Sequence, residues 1–172
     1  MSQRVFSALL AATVAERAVE LAVSRRHVRA LLRRGGREFG QGHYPAMVAV
    51  HAALLVGSLA ETWLKRRRRN EVRSAVCLGL VVAAQALRWS CIAALGPCWS
   101  TRVVVVPGTA LVRSGPYAWL RHPNYLAVAV EGLALPMTYG AWWTAVGFTA
   151  ANAALMAVRI PCEEAALRWA TT

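Results

Sequence analysis

The chain has 172 residues, of which 57% are hydrophobic and 16% are charged. This balance is too apolar for an ordinary soluble domain, and the length allows one domain or one small helical bundle. The net charge of +12 raises nucleic acid as a partner, but no zinc-finger, homeodomain or RNA-recognition pattern accompanies the basic residues. Arginine beside apolar stretches is typical of contact with anionic lipid head groups. We therefore expect a membrane as partner and no nucleic acid.

Apolar stretches that reach or approach the length of a bilayer span follow one another along the chain. They cover residues 5–23, 45–64, 74–95, 125–137 and 141–158, whereas a helical span needs about 20 apolar residues. The fourth stretch is short and can pair with the fifth as a hairpin broken between Pro136 and Gly140. Because a backbone in lipid must satisfy its own hydrogen bonds, the sequence predicts an all-α integral membrane bundle of four to five transmembrane helices.

Charged and polar residues interrupt the first two stretches. Glu16, Arg17 and Glu20 share one helical face, which indicates an ion pair between helices or, alternatively, part of a substrate entrance. His51 and Glu61 are interpreted in the same way, as packing or inter-helix hydrogen-bonding groups. Basic blocks at residues 25–37 and 65–73 flank the second stretch on both sides, so the positive-inside rule does not settle the topology.

The segment 96–122 is polar and rich in glycine and proline. The β-branched run 103–106 is expected to be extended, and Gly115, Pro116 and Tyr117 predict a turn. Pro123 suits the first turn of a helix, where its missing N–H costs nothing. Because long ordered loops are commonly functional, this segment is the candidate binding loop.

Polar and aromatic groups lie at both ends of the predicted hairpin: Tyr117, Arg121, His122, Asn124 and Tyr125 before it, and Arg159, Glu163 and Glu164 after it. Arg159 and Glu163 share a face if one helix continues, whereas Pro161 could instead start a new helix. Either arrangement places a mixed polar cluster beside apolar walls, as in small-molecule sites. The alternative is an interfacial belt of aromatic anchors and snorkelling arginines.

The four cysteines are Cys77, Cys91, Cys98 and Cys162. They form no C-x-x-C pair, and no histidine stands at metal-ligand spacing from them. We expect them to be buried small apolar residues, and we predict no metal site.

Two separated motifs resemble those of the isoprenylcysteine carboxyl methyltransferase family of membrane enzymes. They are G-P-Y followed by R-H-P-N-Y within residues 115–125, and R-I-x-x-E-E at residues 159–164, with a helical hairpin between them. The resemblance covers residues 89–167 and is greatest for a small bacterial branch that O-methylates alkylpyrones or alkylresorcinols. A glycine-rich strand–helix motif is missing, which excludes a soluble Rossmann-type methyltransferase.

The resemblance implies S-adenosyl-L-methionine as the cofactor and assigns the site residues. Cofactor contacts fall on Arg102, Thr109, Ala110, Leu111, Val112, Tyr117, His122, Pro123, Asn124 and Tyr125, and the groups that face the methyl acceptor fall on Arg159 and Glu163. The cofactor would be held by the loop and the last two helices. Thr109 is smaller than the residue typical of relatives with prenylated substrates, and the long N-terminal helices of the eukaryotic enzymes are missing, which argues against a prenylcysteine acceptor.

The resemblance also implies an organisation and a location. Transmembrane helices occupy residues 1–95, and the cofactor loop, hairpin and C-terminal helix form a catalytic half at residues 96–172 of one structural domain. The acceptor would be lipid-like, with a polyketide synthase as pathway neighbour. Because the cofactor is cytosolic, the site is expected at the cytoplasmic face of a bacterial inner membrane.

Three other functions are compatible with the residues. Sterol-type membrane reductases carry a similar R-H-P-x-Y string and use NADPH. Phospholipid N-methyltransferases share the cofactor architecture but act on an amine. A small basic helical protein could also be a non-enzymatic scaffold. The segment from Arg159 to Glu164 favours methyl transfer over reduction.

Overall fold

A computed structural model of the chain describes residues 2–65 and 70–171. Within them lie five α-helices and two short strands: α1 (Gln3–Arg33), β1 (Arg37–Phe39), α2 (Tyr44–Leu64), α3 (Glu71–Leu95), β2 (Val103–Val105), α4 (Pro123–Met137) and α5 (Trp142–Thr171). The predicted all-α membrane bundle is confirmed, and the extended run at 103–106 is β2. Most of the basic block at residues 65–73 lies outside the described residues.

Among the helices that the structure describes, three are long and apolar enough to cross a membrane: α2, α3 and α5. Their surfaces expose large apolar side chains, including Val56, Trp63, Val76, Val82, Val146 and Val158. An apolar surface of this extent is covered by lipid in a membrane protein. The sequence predicts four to five spans, and these three helices account for three of them. The other two helices are less suited to cross a membrane, because α4 has only 15 residues and α1 carries charges at its centre.

Helix α1 extends along the whole height of the bundle. At one end Phe6 stacks on Tyr139, with ring centroids 5.4 Å apart, and Phe6 also packs in a buried cluster with Leu135. Near the other end the Ser24 hydroxyl lies 2.9 Å from Thr101 Oγ1, in the loop that follows α3. The 31 residues of α1 correspond to about 46 Å of helix. This length lets α1 contact the end of α4 with Phe6 and the loop after α3 with Ser24.

The charges inside α1 form an ion network with α3 and α4. Arg17 donates to Glu20 at 2.7 Å and to Glu131 at 3.0 Å. Arg88 donates to Glu20 through both Nε and Nη2, at 2.6 and 2.7 Å. The predicted inter-helix ion pair is confirmed, and its partners are Arg88 and Glu131. Mutual pairing is what makes charges tolerable at this depth.

The hairpin of α4 and α5 packs closely against α2. Gly132 on α4 lies against the ring of Phe148, so that an added Cβ would overlap the ring. Glu61 on α2 accepts hydrogen bonds from the backbone N–H groups of Trp143 and Thr144 at 3.3 and 2.9 Å, which satisfies the free donors at the start of α5. Thus the inter-helix hydrogen bond predicted for Glu61 is confirmed.

The two strands hold the loop against the C-terminal ends of α1 and α5. β1 pairs with β2 in antiparallel register, with Glu38 opposite Val104, and Val104 is buried against Val28 and Leu31 of α1. The Gly108 N–H donates to the Ala170 carbonyl at 2.9 Å. These contacts hold residues 103–112 between the C-terminal ends of α1 and α5.

Candidate active site

A cavity of about 180 Å³ opens between the loop, α4 and α5. It brings together nearly all the residues that the motifs single out, although they are far apart in the sequence: Arg102, Thr109, Ala110, Leu111, Val112, Tyr117, His122, Asn124, Tyr125, Arg159 and Glu163. Pro123 is buried as the first residue of α4 rather than lining the cavity. We call this space the loop cavity.

Arg159 and Glu163 meet at the hydroxyl of Tyr125. Arg159 Nε donates to this hydroxyl at 2.9 Å, and the hydroxyl donates to Glu163 Oε2. Arg159 Nη2 also donates to the Thr101 carbonyl at 2.8 Å. Helix α5 continues through Pro161, which decides between the two arrangements left open by the sequence: Arg159 and Glu163 lie on one face of one helix.

His122 joins the loop to the acidic pair on α5. Its ring stacks on Tyr125, with centroids 5.4 Å apart, while Nδ1 lies 3.7 Å from Glu163 Oε1 and Nε2 lies 3.4 Å from Glu164 Oε1. The nearby Glu163 carboxylate raises the pKa of His122, and this gain outweighs the opposing effect of burial. The cluster therefore favours a protonated imidazole that is held between two carboxylates.

Tyr117 also lines the loop cavity, from a short 3₁₀ helix, Gly115–Ala118. Burial raises the pKa of its phenol, and the neighbouring Cys91 thiol acts in the same direction. Tyr117 is thus a neutral phenol, suited to hydrogen bonding and stacking. The turn predicted at Gly115 to Tyr117 is confirmed.

Arg102 lines the loop cavity but already has a partner. Its Nη1 lies 3.1 Å from Glu38 Oε1, and its guanidinium lies over the ring of Tyr44, 4.7 Å from the centroid. The sequence did not indicate Glu38, because its approach depends on the pairing of β1 with β2. Any anion at Arg102 has to share the guanidinium with this carboxylate.

A second cavity of about 250 Å³ lies deeper, between α1, α2, α4 and α5. Five residues line both spaces: Trp99, Ser100, Asn124, Tyr125 and Arg159. Below them the walls are mainly apolar, with Leu21, Val48, Ala52, Leu55, Val128 and Met156. We call this space the inner cavity. Arg159 lies in the wall between the two spaces, whereas Glu163 lines the loop cavity alone.

Asn124 offers an unused acceptor at this shared wall. Among the described residues its buried Oδ1 has no hydrogen-bond partner. A buried amide oxygen without a partner costs about 1–3 kcal/mol, which a bound molecule with an N–H or O–H donor would remove. The ammonium and ribose hydroxyls of S-adenosylmethionine are such donors, so the residues present fit this cofactor.

Comparison with known proteins identifies the family of the chain. Residues 77–169 match the isoprenylcysteine carboxyl methyltransferase (ICMT) family. The chain is also 37% identical over 166 residues to the Bacillus subtilis protein YpbQ, a match that covers 95% of this chain and 96% of the relative. The chain belongs to the isoprenylcysteine carboxyl methyltransferase family. Membership makes it a membrane methyltransferase, and methyltransferases of this family generally use S-adenosylmethionine.

Other comparisons extend or limit this assignment. An uncharacterized Haemophilus influenzae protein is 27% identical over 158 residues, with 91% of each chain covered. No solved structure matches the chain. Because YpbQ is likewise described as uncharacterized, neither relative identifies the methyl acceptor.

Sequence reasoning missed most of the inner cavity. His51 was expected to be a packing or inter-helix hydrogen-bonding residue. It packs edge-on against Phe148 at 5.5 Å between centroids, and it also lines the cavity. Tyr44 and Arg88 were not singled out. A usable signal existed for Arg88, since an isolated arginine inside an apolar stretch marks a functional or paired position.

Proposed function

We propose that the protein is an S-adenosylmethionine-dependent O-methyltransferase that binds the cofactor in the loop cavity and a lipid-like acceptor in the inner cavity. The observation that carries this proposal is the position of Arg159 in the wall common to both cavities. A methyl group can pass between two bound molecules only where their sites meet, and positioning of both reactants is the main source of rate enhancement for such a displacement.

When bound, S-adenosylmethionine supplies an electrophilic methyl group on a sulfonium. The chain has to orient an acceptor oxygen in line with it and to favour that oxygen as an anion. Arg159 suits the second task, because its planar guanidinium pairs well with an oxyanion and is already held by Tyr125 and Thr101. We propose Arg159 as the catalytic residue that contacts the acceptor.

Glu163 acts in this proposal as a positioning residue. It holds the Tyr125 hydroxyl that in turn accepts from Arg159, and it does not line the inner cavity. An acidic hydroxyl, such as that of a hydroxypyrone, ionises with little help, so a strong base beside the acceptor is unnecessary. We favour an alkylpyrone-type or alkylresorcinol-type hydroxyl over a prenylcysteine-type carboxylate because Thr109 is smaller than the residue typical of relatives with prenylated substrates. A polyketide synthase would be the corresponding pathway neighbour.

The remaining contacts of the loop cavity fit the cofactor. Tyr117 and His122 offer rings for the adenine, and Asn124 offers an acceptor for the ammonium or a ribose hydroxyl. Arg102 and Arg121 offer positive charge to the carboxylate, although Arg102 shares its charge with Glu38. The backbone of residues 109–112, together with buried Pro123, would shape the loop around the ligand. We place this site at the cytoplasmic face of a bacterial inner membrane.

Calorimetric titration of the detergent-purified protein with S-adenosylhomocysteine and, in parallel, with NADPH tests the proposal. Binding of S-adenosylhomocysteine alone is the expected result. Binding of NADPH alone would move the chain to the reductases, and binding of neither would support a non-enzymatic scaffold. An activity assay with an amine phospholipid tests the kind of acceptor. Methylation of its nitrogen, without O-methylation of a hydroxyl acceptor, would contradict the proposed oxygen acceptor.

A further inference from the structure

Glu38 is bonded to Arg102 but does not itself line the loop cavity. Its side chain is 11% exposed, and both carboxylate oxygens accept from Arg102 Nη1, at 3.1 and 3.3 Å. The pairing of β1 with β2, in which Glu38 lies opposite Val104, brings the carboxylate to this position. Glu38 therefore influences a ligand in the loop cavity through Arg102, which does line it, rather than by contact.

Arg102 retains unused donors although it is paired with Glu38. Among the residues that the structure describes, its Nε and Nη2 have no acceptor, because both bonds to Glu38 use Nη1. The guanidinium lies over the ring of Tyr44, 4.7 Å from the centroid, and the Tyr44 hydroxyl is in turn 3.3 Å from Thr101 Oγ1. A guanidinium held in this way still has N–H groups for a second carboxylate, the partner that its planar geometry suits best.

Arg121 also lines the loop cavity, but it suits a ligand carboxylate less well. Its side chain is 88% exposed, and its Nη1 lies 3.7 Å from Glu164 Oε1. Because water screens a charge at so exposed a position, a carboxylate gains little from it. Arg102 is 43% exposed and is fixed over Tyr44. These contacts favour Arg102 as the group that receives the carboxylate of the cofactor.

We propose that Glu38 competes with the ligand carboxylate for Arg102 and thereby limits the affinity for ligands that carry the amino-acid portion of the cofactor. Two carboxylates at one guanidinium repel each other, so each weakens the binding of the other. S-adenosylmethionine and S-adenosylhomocysteine carry the same carboxylate, and the competition therefore also favours release of the demethylated product. This inference rests on the proposed function. It makes Glu38 a positioning residue that acts through Arg102.

Two probes that differ in the amino-acid portion test the inference. S-adenosylhomocysteine carries the carboxylate, whereas 5′-methylthioadenosine keeps the adenine, the ribose and the thioether without it. The affinity of the full chain in detergent for each probe is measured by calorimetry, directly or by displacement. Glu38→Gln removes the charge but keeps an oxygen that accepts from Arg102. We expect this variant to bind S-adenosylhomocysteine about fivefold more tightly than the wild type, with an unchanged affinity for 5′-methylthioadenosine.

A double-mutant cycle with Arg102→Gln shows whether Glu38 acts through Arg102. Arg102→Gln should weaken the binding of S-adenosylhomocysteine and spare that of 5′-methylthioadenosine. In this background Glu38→Gln should bring no further change, because the group for which the two carboxylates compete is gone. A full gain of affinity from Glu38→Gln in the absence of Arg102 would contradict the proposed route.

Glu164→Gln is the matched control. It removes one negative charge beside the other arginine of the loop cavity, Arg121, and should leave the ratio of the two affinities at its wild-type value. A ratio that rises as much in Glu164→Gln as in Glu38→Gln, or no gain of affinity in Glu38→Gln, would overturn the inference and leave the proposed function intact. Failure of the wild type to bind S-adenosylhomocysteine would contradict the proposed function, and the inference with it.

Discussion

Arg159 and Glu163 share the hydroxyl of Tyr125, which accepts a hydrogen bond from the guanidinium and donates one to the carboxylate. The two residues are four apart on α5, and Tyr125 comes from the first turn of α4. The Tyr125 phenol therefore connects Arg159, which we assign to the methyl acceptor, with Glu163, which lines only the loop cavity.

This connection predicts a separation between turnover and cofactor affinity. Arg159→Ala should lower kcat by about 100-fold or more, as expected for removal of a charged donor at a developing reaction centre. Glu163→Ala should also lower kcat, because Tyr125 and Arg159 lose their orientation. In both variants calorimetry should give an affinity for S-adenosylhomocysteine close to that of the wild type. Tyr117→Ala should instead weaken this affinity first, and equal losses of affinity in all three variants would refute the division of roles.

His122 should make the stability of the protein depend on pH in a defined direction. Its pKa is raised in the folded state, chiefly by the nearby Glu163 carboxylate. A raised pKa contributes stability that is complete below the unfolded-state pKa, about 6.5, and is lost as the pH rises through the folded-state pKa. Thermal unfolding in detergent should therefore show that the advantage of the wild type over His122→Gln is greatest in mild acid and declines above neutrality.

The control for this experiment is Glu163→Gln. Without the carboxylate the main cause of the raised pKa is gone, so this variant should show a smaller dependence of stability on pH than the wild type. An advantage of the wild type over His122→Gln that grows with rising pH would contradict the assignment.

The contact between Gly132 and Phe148 predicts that a larger side chain at position 132 lowers the stability of the α4–α5 hairpin. Gly132→Ala adds a Cβ that overlaps the Phe148 ring, and overpacking of this kind costs about 1–3 kcal/mol. Gly79→Ala is the matched control, because Gly79 lies inside α3 with nothing within 4 Å of an added Cβ. Thermal unfolding should show a lower Tm for Gly132→Ala and no loss for Gly79→Ala. Phe148→Leu should restore part of the loss if the ring is its cause.

The sequence predicts the apolar helices and the motif residues well because both depend on local patterns. The break after Met137, the helix start at Pro123 and the extended run at 103–106 all follow from residue preferences at single positions. Nearly every site residue that the motifs select also lines the loop cavity. In contrast, the extent of α5 through Pro161 depends on packing against α2 and α4, which compensates for the missing backbone hydrogen bond.

The inner cavity could not be predicted because its walls come from helices whose relative rotation is not encoded locally. His51, Arg88 and Glu20 belong to three different helices. Their positions as isolated polar residues in apolar stretches do indicate functional or paired groups. Which of them face one another depends on close contacts, such as that of Gly57 with Thr144, that a hydropathy pattern does not contain.

The arrangement of the loop predicts the orientation of the protein in the membrane. Contacts between Ser24 and Thr101, and between Gly108 and Ala170, place the end of α1, the loop and the end of α5 at one side of the bundle. This side carries the basic residues 25–37 together with Arg113, Arg121 and Arg168, and an excess of arginine is typical of cytoplasmic segments. The opposite side carries Lys65 and Arg73, the described basic residues of the second block. Charge alone therefore gives a divided answer, and we infer the orientation from the cytosolic origin of the cofactor.

Cysteine labelling in intact cells measures this orientation. In a background without the four native cysteines, Ser114→Cys should resist an impermeant maleimide until the cells are lysed if the loop faces the cytoplasm, as we infer. Lys65 follows the C-terminal end of α2, on the side of the bundle away from the loop. Lys65→Cys should therefore be labelled in intact cells. A lysed sample of each variant provides the control for thiol accessibility. Labelling of Ser114→Cys from outside would reverse the orientation and would place the loop cavity away from the supply of cytosolic S-adenosylmethionine.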